Sequence, residues 1–70
     1  MKEYQITSTR HSGWVQKWPL MTEKKIIDLA YELEWNWILE VMKLEPSEIT
    51  FDDAIEALGH DYRSFKVEEV

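Results

Sequence analysis

Between Thr22 and Leu44 the chain runs through more than twenty residues with no glycine or proline. On a helical wheel Lys25, Asp28, Glu32, Asn36, Glu40 and Lys43 form one polar stripe at spacings of three and four. The rest of the circumference is apolar: Ile26, Ile27, Ala30, Tyr31, Leu33, Trp35, Trp37, Ile38, Val41, Met42 and Leu44. Glu34 alone interrupts that arc, while Leu29 and Leu39 encroach on the polar side. Thr22 suits an N-cap, and Glu23 in the first turn suits the helix dipole. Trp35, Trp37, Leu39 and Val41 also alternate as a strand would. No turn residue parts them from Leu33, however, so the spacing predicts one helix over 22–44. At 1.5 Å per residue it would be roughly 33 Å long, against a diameter of about 28 Å for a compact domain of this length. Such a helix crosses the whole domain. Its apolar arc exceeds what one flat contact needs, so either other elements wrap it from two sides or part of it meets another molecule.

The remaining segments are short. Glu3-Tyr4-Gln5-Ile6-Thr7-Ser8 alternates polar and apolar residues, which predicts a strand over 3–8 with Tyr4 and Ile6 inward. Residues 9–13 end in Ser-Gly and read as a turn. Residues 14–18 offer a second hairpin arm, stopped by Pro19, which cannot donate to a strand ladder. Glu45-Pro46 ends the long helix. Thr50 with Asp53 forms a capping box that opens a helix over 50–58, and Gly59 falls where a left-handed C′ residue belongs. Residues 62–68 alternate again and predict a final strand beside the first. The fold expected is α+β and occupies one domain, residues 1–70. A small antiparallel sheet of two or three strands packs on one long and one short helix.

Seventy residues can bury only about 60% of the extended chain's surface. A hydrophobic fraction of 44%, with four Trp, suits that need and excludes a disordered chain. There is no Cys, hence no disulfide and no thiolate site. No apolar run is long enough to span a bilayer, and Met1-Lys2-Glu3-Tyr4 lacks the apolar stretch of a signal peptide, so a cytoplasmic location is expected. Net charge is −6 and uneven: residues 1–25 carry five basic and two acidic residues, residues 26–70 three and twelve. A chain of this sign is repelled by a phosphate backbone, which makes nucleic acid an unlikely partner for the molecule as a whole.

Catalytic patterns are missing. The two histidines, His11 and His60, lie in predicted loops, and His60-Asp61 lacks the further His ligands that metal phosphohydrolase sites need. Ser12, Ser47 and Ser64 have no nucleophile setting, and Gly13 and Gly59 do not make a phosphate loop. An enzyme, a cofactor and a metal are therefore not expected. The expectation is a small non-enzymatic interaction protein, with a protein partner or a second copy of itself. The surface indicated is the strip Tyr31, Trp35, Ile38 and Met42, whose spacings of three and four place them on one side of the long helix. Two alternatives belong to other classes. One is an acidic inhibitor that imitates nucleic acid, of the kind phages and mobile elements carry, using Glu45, Glu48, Asp52, Asp53, Glu56 and Asp61. The other is a weak single-strand binder using Arg10, Trp14, Lys17 and Trp18.

Overall fold

The computed structural model describes residues 2–70. Its Cα extents are 33 × 30 × 15 Å. It has two layers, a four-stranded antiparallel sheet and a helical layer on one face of it. The strands are β1 (Glu3–Thr9), β2 (Val15–Lys17), β3 (Met21–Thr22) and β4 (Ser64–Glu69); the helices are α1 (Glu23–Trp37) and α2 (Phe51–Gly59). The α+β reading holds, with one strand more than the two or three expected.

β1 is central. β4 pairs along one edge over its full length, from Tyr4↔Glu69 to Thr9↔Ser64. β2 and β3 share the other edge, β2 facing Thr7–Thr9 and β3 facing Glu3 and Tyr4. Between them lies Pro19, whose missing N–H interrupts what would otherwise be one strand. The two-residue β3 is too short to leave a periodic trace in the sequence. The inner face carries buried Tyr4, Ile6 and Ser8. Among the described residues Ser8 is the one fully buried polar residue, and its Oγ accepts the indole N–H of Trp18 at 2.9 Å. Trp18 in turn meets Phe65 and Tyr62 edge-on, closing the core at the hairpin end.

The hairpin turn follows from Gly13. Its amide donates to the Arg10 carbonyl at 2.9 Å, and the Arg10 amide donates to the Trp14 carbonyl at 2.8 Å. That is a three-residue loop closed through a left-handed residue, and Gly13 supplies it at φ 96°. Gly59 does otherwise than expected. It is the last residue of α2, not a left-handed cap. A Cβ there would approach the Phe65 side chain to 3.2 Å, so its small size lets α2 close onto β4.

The long helical segment forms where predicted but is not uniform. Thr22 caps it, its hydroxyl accepting the Lys25 amide. α1 runs to Trp37 with a kink at Glu34 (φ −126°, ψ 27°), and a π-helical turn, Ile38–Met42, continues it. Lys43 then turns left-handed at φ 57°, and the Lys43 and Leu44 amides both reach back to the Ile38 carbonyl. A π turn holds an extra residue, so side chains beyond it are rotated from their places on a uniform wheel. The row that faces the core is Ile26, Ala30, Glu34 and Ile38, at spacings of four. Ile26, Ala30 and Ile38 have no exposure, while Leu33, central on the uniform wheel, is 57% exposed. Ala30 on α1 and Ala54 and Ala57 on α2 are all fully buried, which allows the two helices to pack closely. The Thr50–Asp53 capping box forms in both directions at 3.2 Å.

Candidate functional site

Glu34 is the anomaly of the core row. A carboxylate there is taken partly out of water, and unpaired it would be costly. The α2–β4 connection supplies its partner. His60, just past the end of α2, sets Nε2 at 2.9 Å from Glu34 Oε2, with both side chains 21% exposed. Nδ1 of the same ring lies 3.3 Å from Asp61 Oδ1. The flat of the imidazole rests on the Trp37 indole, centroids 3.9 Å apart and planes within 7°. Trp37 is thus half-buried with its ring against His60, and its indole N–H is buried with no hydrogen-bond partner among the described residues.

The arrangement brings together residues 34, 37, 60 and 61 from two elements. The sequence marks Glu34 only as a break in an apolar arc; nothing in it joins that break to His60. Chemically, the imidazole sits between two carboxylates, and with both nitrogens protonated it donates to each. One ligand atom each from Glu34, His60 and Asp61 lies within 4.8 Å of the others, so these are the residues that could hold a metal ion. The two carboxylates approach opposite nitrogens of the ring, so an ion on Nε2 would meet Glu34 directly and Asp61 only after its side chain turned.

Asp61 also lines an open cleft of about 370 Å³ with Arg10, His11, Ser12 and Tyr62. The cleft lies between the hairpin turn and the α2–β4 connection, drawn together because the Arg63 amide donates to the Thr9 carbonyl at 2.8 Å. His11 and His60, 49 positions apart in sequence, thus flank one region, through Asp61.

The strip Tyr31, Trp35, Ile38 and Met42 is not one exposed face. Ile38 is fully buried, because it belongs to the core row. Tyr31 and Met42 are partly buried against the core. Trp35 alone is open, at 50%. Of the basic and aromatic hairpin residues, Trp14 is 67% exposed and Trp18 is packed on the core. Comparison with protein-family models, curated proteins and solved structures finds no match to this chain.

Proposed function

We propose that this protein is a non-enzymatic interaction protein that pairs with a second copy of itself through the outer side of the long helix. One observation carries the reading: Leu33, Trp35, Leu39 and Val41, four large apolar side chains within nine positions, stay in water around the kink and the π turn. Single exposed apolar residues are ordinary on a monomer, but a cluster marks a contact surface. Trp35 and Leu39, four apart, share one strip, and a tryptophan is the residue most enriched at energetic centres of interfaces.

A second copy is the simplest partner, since two-fold dimers, in which the same patch meets itself, are the commonest oligomers. Charge does not decide the pairing: Lys24 and Lys25 at the start of the helix stand beside Glu23 and Asp28, with Lys24 paired to Asp28, and Lys43 at the other end stands beside Glu40 and Glu45. Sedimentation velocity over a dilution series tests the reading. A monomer–dimer equilibrium nearly indifferent to salt is expected, and Trp35→Glu with Leu39→Glu should leave a folded monomer. A native chain that stays monomeric at millimolar concentration would remove the proposal.

A further inference from the structure

The two edges of the sheet are unlike. One is broken: β2 has three residues and β3 two, with Pro19 between them. Short strands and proline are devices that keep an edge from pairing with another chain. The other edge is β4, six residues without glycine or proline. Among the described residues no strand pairs with its outer side.

Hydrogen-bond alternation decides which groups of β4 lie open. In an antiparallel ladder every second pair of residues exchanges bonds. The Val70 amide donates to the Glu3 carbonyl at 2.9 Å. In the same register the bonded pairs are then Gln5 with Glu68, Thr7 with Lys66 and Thr9 with Ser64. On its other side β1 uses its even-numbered residues: the Trp18 amide donates to the Ile6 carbonyl and the Arg10 amide to that of Trp14. Phe65, Val67 and Glu69 therefore turn their N–H and C=O groups away from β1, along the free edge. Lys66 and Glu68 oppose Thr7 and Gln5, which alternate with buried Tyr4, Ile6 and Ser8. Their side chains stand on the face away from the helices.

We propose that β4 pairs edge to edge with β4 of a second copy, antiparallel, about a two-fold axis at Val67. Charge selects that register. Only registers that set residues 65, 67 and 69 against one another join the open N–H and C=O groups. Centred on Lys66, the pair would oppose two lysines; centred on Glu68, two glutamates, and like charges directly opposite are destabilising. Centred on Phe65 or Glu69, the strands overlap less. Centred on Val67, Lys66 of each copy faces Glu68 of the other, and Val67 meets Val67. The two sheets become one, and main-chain hydrogen bonds supply the affinity. The edge offers little apolar side-chain area, so this contact is weaker than one through the long helix and is populated at millimolar concentration. The inference does not rest on the helix contact, which uses a different element of the chain.

Amide hydrogen exchange followed by NMR, compared between dilute and millimolar samples of the native chain, is the test. The Phe65, Val67 and Glu69 amides should slow several-fold in the concentrated sample. Those of Ser64, Lys66 and Glu68, already bonded to β1, should not change. Trp35→Glu with Leu39→Glu, which removes the helix contact, should keep this difference, so either contact can fail without the other. Sedimentation equilibrium at millimolar concentration, in that same background, measures the edge pairing. Lys66→Glu and Glu68→Lys should each weaken it roughly tenfold, because each sets like charges opposite one another twice. Lys66→Glu combined with Glu68→Lys should restore it. The two single changes move net charge in opposite directions, so a loss common to both reports the local pairs. Val67→Pro removes an amide that β1 does not use and should abolish the pairing. Circular dichroism melts confirm that each variant is folded. The proposal is overturned if the three open amides exchange alike in both samples, which would show that Lys66 and Glu68 guard the edge. It is overturned equally if the combined charge exchange fails to recover what the single changes lose.

Discussion

The indole of Trp37 lies flat on the imidazole of His60, with centroids 3.9 Å apart and planes within 7°. The contact joins α1 to the end of α2 at the point where Glu34 also reaches the same ring. His60 therefore serves two neighbours at once, one by stacking and one by hydrogen bonding. His60→Ala should cost about 1–3 kcal/mol, because it leaves a half-buried carboxylate without its partner. Glu34→Leu in that background should recover part of the loss. A double-mutant cycle between Trp37→Leu and His60→Ala should give a coupling of about 0.5–1.5 kcal/mol. Urea melts measure all of these, and a coupling near zero would mean the stack contributes nothing.

Two backbone positions carry opposite predictions. Gly13 and Lys43 both adopt positive φ, 96° and 57°. A Cβ at Gly13 would meet nothing within 4 Å, so backbone strain alone governs that site. Gly13→Ala should cost about 1–2 kcal/mol and loosen the hairpin. Lys43 already bears the strain that a glycine would not. Lys43→Gly should therefore stabilise the protein by up to about 1 kcal/mol, less the added freedom of the unfolded chain. Thermal melts decide both, and matching signs would contradict the left-handed assignment of one of them.

Much of the frame is legible from local chemistry. Tyr4 and Ile6 alternate with polar residues and face inward; Thr22 and Thr50 cap the helices that follow them; Pro19 and Pro46 interrupt the chain where expected. These are near-neighbour effects, and a sequence displays them. The π turn is different. A wheel drawn at uniform pitch hides its extra residue, and it equally cannot show that Leu33, which lies before the turn, stays 57% exposed. The Glu34–His60–Trp37 cluster is hidden for a related reason. Its members lie 26 positions apart at the extremes, and only the helix pairing brings them together. Ser8 shows the reverse error that pattern reading invites: a polar residue on the core face, made tolerable by the indole of Trp18, which directly follows β2.

Tyr4 provides a prediction about pH. Its hydroxyl is held above the ordinary tyrosine value, chiefly by burial, then by the Glu23 and Glu69 carboxylates nearby. The hydroxyl also donates to Glu23 Oε2 at 3.4 Å. In the unfolded chain Tyr4 loses its proton near pH 10. The folded state holds the proton to higher pH, so the stabilisation is complete below pH 10 and is lost as pH rises through the folded value. Alkaline unfolding should therefore begin as Tyr4 ionises. Tyr4→Phe should remove that part of the pH dependence and shift the alkaline midpoint upward. Absorbance at the tyrosinate band, followed beside circular dichroism, checks whether ionisation and unfolding coincide.

Ile38 and Trp35 lie three positions apart on the same helical segment, yet substitution should affect them in different ways. Ile38 is fully buried at the end of the core row, where α1 passes into the π turn. Truncating such a side chain to alanine costs about 2–5 kcal/mol, a large share of the 5–15 kcal/mol typical of a whole domain. Ile38→Glu would bury a carboxylate with no cation beside it and should unfold the protein at room temperature. Trp35 is half in water, so Trp35→Ala in the monomer should change stability by no more than about 0.5 kcal/mol. Its effect should appear instead in association, as a weaker dimer in sedimentation. Equal thermal losses for Ile38→Ala and Trp35→Ala, measured at a concentration where both are monomeric, would place Trp35 in the core and return the contact surface to the open side chains of Leu33 and Val41.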